Sequence, residues 1–325
     1  MAGEDKAEAL WYVGPGRAEI REERLPPLAP GSVRVRTLYS ALSRGTESLV
    51  AAGRVPESEY QRMRAPFMGG QFPFPVKYGY ANVGRVEAGA SPLVGKEVFS
   101  LSPHQTGFDV PEGSAVALPD GVPAARAVLS ANMETALNAM WDAEPADGVK
   151  IAVVGAGVLG ALVGFLAAKV KGVEVTLVDI NPERETVAKA FGIGFAKPES
   201  APVDRDLVFH TSASAAGLTT ALNLCADEAT VLELSWYGAG TVPVPLGGAF
   251  HSRRLKLISS QVGKVAPSRR ATFNYRKRLE AAMALLADDR LDVLLAPPVK
   301  FRDLPARLPD IFAPQSGILC QLITY

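Results

Sequence analysis

One glycine spacing, with what flanks it, restricts the fold of this chain more than any other feature. Gly155-Ala156-Gly157-Val158-Leu159-Gly160 follows the apolar run Lys-Ile-Ala-Val-Val and opens a helix-forming stretch. The GxGxxG pattern alone is a weak signal. Here Asp179 also closes the next β-branched run, Val-Glu-Val-Thr-Leu-Val-Asp. Strand, glycine turn, helix, strand and terminal acid in that order predict a βαβ unit that binds a dinucleotide. Gly155 permits the tight turn, Gly157 lets the backbone approach a diphosphate, and Gly160 lets helix and strand pack closely. The diphosphate would lie over Ala156, Val158 and Leu159, on free N–H groups at the positive end of the helix dipole. Asp179, with Ile180 beside it, would accept hydrogen bonds from the adenosine ribose. Its charge would repel a 2′-phosphate, so NAD is expected rather than NADP. Arg184, just past the acid, is either a group that takes a 2′-phosphate or a solvated helix residue.

The same segment carries a membrane decoy. Residues 151–168 contain no charged or strongly polar side chain, and Gly160 and Gly164 have GxxxG spacing. That run approaches the roughly 20 apolar residues that cross a bilayer. The glycines crowd its first half, its start is strand-like and a charged β-branched segment follows, so buried strand plus buried helix is the reading. Strands are expected at 150–154, 173–179, 206–211, 229–235 and 255–260, and helices at 158–170, 183–191 and 215–225. This alternation predicts a parallel sheet covered on both faces. Ser212, at the end of one of these strands, joins the cofactor-binding candidates.

Residues 10–125 have a different texture. Valines alternate with polar residues in Ser-Val-Arg-Val-Arg-Thr and Asn-Val-Gly-Arg-Val-Glu, and Gly or Pro punctuates, which predicts short strands. Residues 52–77, rich in Arg and Pro, form a long loop of the kind that is functional or mobile. After Gly263 a basic helix and a final strand, Gly-Ile-Leu-Cys-Gln-Leu-Ile-Thr-Tyr, suggest that the chain returns to its first domain. The expected division is 1–123 completed by 264–325, with 124–263 between.

Composition narrows the function classes. The chain of 325 residues has formal net charge +0 and is 48% hydrophobic, as expected of a packed two-domain protein. Neutral charge argues against nucleic acid or an anionic membrane surface as partner. Cys225 and Cys320 are too few for a disulfide framework or a cysteine zinc cluster. They are expected to be buried thiols in a reducing, cytoplasmic setting. The charged first residues lack a secretory core.

This order of domains resembles the medium-chain dehydrogenase/reductase superfamily over essentially the whole chain. The resemblance implies a GroES-like β-rich substrate domain, a Rossmann doubly wound parallel-sheet domain, a small-molecule substrate between them and a homodimer. Zinc-dependent members of that family hold a catalytic metal on cysteine, histidine, and cysteine or glutamate. In this sequence the matching motifs read Tyr-Ser-Ala-Leu-Ser-Arg-Gly-Thr-Glu, Tyr-Gly-Tyr-Ala-Asn-Val-Gly and Ser-Ala-Asn-Met-Glu-Thr-Ala-Leu-Asn-Ala. Ser43, Tyr80 and Ala131 then stand at the ligand positions. Residues 97–115 hold no cysteine for a structural zinc lobe. Ser, Tyr and Ala do not replace thiolate and imidazole, so no zinc is expected. The combination is similar to a zinc-lacking branch grouped with 2-desacetyl-2-hydroxyethyl bacteriochlorophyllide a dehydrogenase-like proteins, and no substrate is carried over from it.

Without a metal, hydrogen-bond donors must stabilise oxygen charge during hydride transfer. Tyr80 is expected either to donate to the substrate oxygen or to fill the metal's volume. Thr46 matches a family proton-relay hydroxyl, or caps a turn. Ser43 is a polar contact or filler. Arg44 would bind a diphosphate or a substrate carboxylate, or lie on the surface, and Glu47 would line the site or pair with Arg44. His104 is read as a hydrogen-bonding residue rather than a ligand. If the family alignment holds, Asn132, Glu134 and Thr135 face the cleft, the first two toward substrate and Thr135 toward cofactor. Lys77 forms no couple with Tyr78 unless the strand bends at Gly79. The reading is an NAD-dependent alcohol/ketone oxidoreductase. Reduction of an activated C=C bond, or a non-catalytic dinucleotide sensor, are the alternatives.

Overall fold

The computed structural model describes residues 6–325. They form two compact units, one of residues 6–131 with 283–325 and the other of residues 132–282.

The first unit is β-rich. Its strands are β1 (Lys6–Gly14), β2 (Arg17–Arg24), β3 (Ser32–Leu42), β4 (Gly69–Gly70), β5 (Val76–Lys77), β6 (Asn82–Ala88), β7 (Glu97–Ser100), β8 (Gly107–Pro111) and β9 (Val116–Ala117). Helices α1 (Arg44–Ala51) and α2 (Ala124–Ala127) accompany them. The valine alternation of β3 works as expected: Val33 and Val35, with Val86 of β6, point inward onto Val98, Phe108 and Val110. The β1–β2 hairpin carried no clear sequence signal. β2 is almost entirely charged, and it is held by cross-strand pairs such as Lys6–Glu22 rather than by an apolar face. The 52–77 stretch is short strand, turn and helical turn.

The second unit begins within α3 (Ser130–Ala143) and is a six-stranded parallel sheet. In chain order it contains β10 (Lys150–Val154), α4 (Val158–Ala167), β11 (Glu174–Val178), α5 (Glu185–Phe191), β12 (Gly194–Ala196), β13 (Arg205–His210), α6 (Ala215–Leu224), β14 (Cys225–Glu233) and β15 (Lys256–Ser259). The spatial order is β12-β11-β10-β13-β14-β15, the doubly wound arrangement, which reverses direction at β10. Four consecutive residues of β10 and of β11 are buried, because helices cover both faces. The decoy glycines are packing devices. A Cβ on Gly164 would lie 2.8 Å from Leu177 Cδ2, so its absence lets α4 settle onto β11. Among the described residues, no helix is long and apolar enough to cross a membrane.

Helix α7 (Tyr275–Ala284) closes the second unit. β16 (Leu295–Lys300), α8 (Leu304–Phe312) and β17 (Cys320–Thr324) follow. β17 pairs antiparallel with β3, so the last strand lies inside the seven-stranded sheet of the first unit.

The units divide after residues 131 and 282, not at the expected 123 and 263, and two buried arginines account for the difference. Arg126 on α2 donates to Asp292 Oδ1 and Oδ2 at 2.7 Å, and to the carbonyls of Leu286 and Ala287, which fixes α2 to the first unit. Arg278 on α7 donates to Glu134, Asn138 and the carbonyls of Val262 and Lys264, which fixes α7 to the second.

Candidate functional site

The glycine turn lies at the carboxyl end of β10, where the sheet order reverses. Gly155 has φ 103°, a left-handed conformation that costs glycine nothing. A Cβ there would come within 2.7 Å of Ser212 N. A Cβ on Gly160 would collide with the carbonyl oxygen of Gly155 and with Thr211 Oγ1. At Gly157 the same test finds open space. Gly157 is the N-cap of α4 and no side chain caps that helix, so its first N–H groups face the opening above Gly157. Closed walls at Gly155 and Gly160 with an open, uncapped helix start between them fit a diphosphate. Ala156, Val158 and Leu159 frame this turn. The carboxylate of Asp179 accepts from Ala156 N at 2.7 Å and from Asn181 N at 2.8 Å, which ties the acid to the turn. Two hydrogen bonds leave lone pairs on that carboxylate for ribose hydroxyls. Ile180 beside it is 83% exposed, a flat apolar face next to the acid. Arg184 ends the short helical turn that follows.

A cluster that the sequence reading passed over lies at the ends of the adjacent strands. Parallel pairing sets His210 of β13 directly beside Glu233 of β14. His210 is fully buried. Its Nδ1 lies 2.7 Å from Glu233 Oε2 and its Nε2 lies 2.7 Å from Ser212 Oγ. Glu233 also accepts from Ser235 N at 2.7 Å and from Tyr237 Oη at 3.0 Å. Burial pushes the Glu233 carboxyl up, but hydrogen bonds from His210 and Ser235 outweigh it and hold the group below its ordinary value. The available signal was polar side chains at the carboxyl ends of otherwise apolar parallel strands, which is where ligands bind in such sheets.

In the first unit the side chains of Tyr80, Ser43 and Thr46 meet. Burial, followed by the charge of Glu47, pushes the Tyr80 phenol up to about 12, while hydrogen bonds from Ser43 and Thr46 pull it down. Tyr80 is half-buried and its ring stands edge-on to Tyr78, centroids 6.0 Å apart. Beneath them runs a buried polar chain. Tyr325 Oη lies 2.7 Å from Ser40 Oγ, Ser40 Oγ lies 2.8 Å from His104 Nδ1, and His104 Nε2 lies 2.9 Å from Glu47 Oε2.

Several expected contacts are replaced by others. Glu47 is fully buried and does not pair with Arg44. It accepts from His104, Tyr12 Oη and Ser43 N, so it acts from beneath the site rather than on a substrate. The Arg44 guanidinium donates to the carbonyls of Ile318 at 2.5 Å and Ala313 at 2.9 Å, so it binds the C-terminal segment instead of an anion. Glu134 is 6% exposed and accepts from Arg278 Nε at 3.0 Å, which removes it from substrate binding. Its burial raises the carboxyl above its ordinary value, against the opposing charge of Arg278. Asn132 and Thr135 are half-buried on α3. Lys77 Nζ reaches Glu23 at 2.6 Å and Gln105 at 3.1 Å, so it forms no tyrosine couple. Cys225 and Cys320 are buried and free, their thiols pushed up to about 12, burial being the main cause in each. Among the described residues no group of three or more His, Cys, Asp or Glu side chains is arranged to hold a metal.

No protein-family model matches the chain, and no curated protein matches it. Solved structures do match. An L-idonate 5-dehydrogenase from Escherichia coli aligns with TM-score 0.79 at 14% identity, covering 99% of this chain and 99% of that one. A short-chain alcohol dehydrogenase from Escherichia coli, complexed with NADH, gives TM-score 0.77 at 16% identity over 99% of this chain and 100% of that one. A putative zinc-binding dehydrogenase from Sinorhizobium meliloti, bound to NADP, gives TM-score 0.77 at 16% identity over 99% and 100%. The chain therefore shares the fold of these dehydrogenases, with a parallel Rossmann-type sheet in one unit and antiparallel β-structure in the other.

Proposed function

We propose that this protein is a zinc-independent oxidoreductase that interconverts a secondary alcohol and its ketone with a nicotinamide dinucleotide, NAD(H) in preference to NADP(H). One observation carries the reading: the glycine turn, the uncapped α4 terminus and the Asp179 carboxylate form one continuous binding surface. The negative charge of Asp179 at the ribose position supports NAD over NADP. When bound, the nicotinamide supplies the hydride acceptor or donor.

The proton side of the reaction is assigned to Tyr80. A phenol raised to about 12 is protonated at neutral pH, so it acts as a hydrogen-bond donor to a substrate oxygen rather than as a base. Thr46 and Ser43 hold its oxygen and would return the proton. Zinc independence rests on donor chemistry: Ser43, Tyr80 and Ala131 stand at the positions where the family motif carries metal ligands.

The test is NADH and NADPH oxidation against panels of ketones, enones and quinones. Turnover of ketones, faster with NADH, is expected. Turnover only of enones would replace this reading with C=C reduction, and cofactor binding without turnover would replace it with a sensor. Metal analysis of chelator-free protein is expected to find no stoichiometric zinc. Near-stoichiometric zinc, with activity lost to a chelator, would overturn metal independence. The homodimer implied by the family resemblance would use β15, which ends the parallel sheet and exposes Ile258. Light scattering after size exclusion would refute it by finding only monomer.

A further inference from the structure

The His210 cluster has a directionality that the dinucleotide reading does not use. The Glu233 carboxylate has only acceptors, so the proton between it and His210 sits on Nδ1. The Nε2 of the neutral ring then accepts, and the Ser212 hydroxyl must spend its hydrogen on it. Ser214 Oγ, 3.0 Å from Ser212 Oγ, accepts from Gly217 N and can donate its own hydrogen to Ser212. Every hydrogen in the chain points from the start of α6 toward Glu233. The remaining lone pair of Ser212 is left as an acceptor. His210 is fully buried, Ser212 is half-buried, and the Ser212 backbone touches the Gly155 turn.

Topology says which part of a ligand would meet that lone pair. Asp179 follows β11, on one side of β10. His210 and Glu233 end β13 and β14, on the other side. A dinucleotide laid across the reversal at β10 puts its second nucleoside over β13 and β14.

We infer that His210 and Glu233 are positioning residues that fix the Ser212 hydroxyl as an acceptor for a ribose hydroxyl or carboxamide N–H of the second nucleoside. This rests on the dinucleotide reading. Among the described residues, the titratable groups hydrogen-bonded to this ring are Glu233 and Tyr237, both contributed by β14 and the segment after it. A Cβ on Gly217 of α6 would come within 2.9 Å of the ring's Nε2.

The test is calorimetric titration of the intact protein with NAD+ and, separately, with AMP, which lacks the second nucleoside. Ser212→Ala should weaken NAD+ roughly three- to tenfold, the worth of one hydrogen bond, and leave AMP within about twofold. His210→Asn should weaken NAD+ in the same direction, again with AMP within about twofold. Because His210→Asn alters a buried residue, Ser212→Ala alone suffices. Unchanged NAD+ affinity in Ser212→Ala, or a parallel loss of AMP, would overturn the inference. A wild type that binds neither NAD+ nor AMP would instead overturn the dinucleotide reading itself.

Discussion

At Tyr80 burial first, and then the Glu47 charge, raise the phenol, and the Ser43 and Thr46 hydroxyls lower it. Tyr80→Phe keeps the volume and removes the donor. It should lower kcat by about a hundredfold or more, the usual worth of a general acid, and leave the NAD+ dissociation constant unchanged. An unaffected kcat would make Tyr80 a space-filling residue. Glu47→Gln removes one of the causes that raise Tyr80, so ultraviolet titration should show a tyrosinate forming at lower pH than in the wild type. Asp179→Ala should weaken NAD+ about tenfold or more, as for a lost charged hydrogen bond, and shrink the preference over NADP+ in equilibrium titrations. The glycine turn was legible because its residue types leave few alternatives. Arg44, Glu47 and Glu134 were not, because their partners at Ile318, His104 and Arg278 are remote in sequence. A charge looks available until its partner is known.

At the scale of elements, α4 and α3 are held in opposite ways. The α4–β10 contact depends on missing atoms. Gly160→Ala would push a methyl into Gly155 O and Thr211, and should cost about 1–3 kcal/mol in urea unfolding, with NAD+ affinity falling as the turn shifts. The α3–α7 contact depends on a buried ion pair. Arg278→Met leaves Glu134 buried without its partner and should cost about 3–5 kcal/mol. Because burial raises the Glu134 carboxyl, its contribution is present at low pH and lost as pH rises through its folded-state value. Stability of the Arg278→Met variant should therefore recover on acidification relative to wild type, and the Glu134→Leu/Arg278→Met pair should recover without it. The parallel strands were readable to within a few residues because burial on both faces makes them apolar runs. The β1–β2 hairpin was not, since its inward side chains are few and its outer ones pair charge with charge. The His210–Glu233 contact depends on the register of β13 against β14, which no local pattern prints.

Across the whole molecule, tyrosines at four places in the first unit share one electrostatic fate. Burial is the largest cause raising Tyr12, Tyr78, Tyr80 and Tyr325, and Glu47 adds to each. Raised phenols stabilise the folded state fully below their unfolded value of about 10, and that stability is lost as pH rises through the folded values. The urea midpoint should hold steady through mildly alkaline pH and then collapse together with a rise in tyrosinate absorbance. A midpoint that falls well before the absorbance rises would assign alkaline unfolding to other groups. The pairing of β17 with β3 has a further consequence, for synthesis. The ribosome delivers β3 early and its partner β17 only after the whole second unit has emerged. The parallel sheet is contiguous and can fold while the first unit still lacks a strand, so β3 waits with an open edge throughout that interval. A nascent chain stalled before Leu295 should thus hold a protease-resistant core from residues 132–282 while the β-rich segment ahead of it is cut.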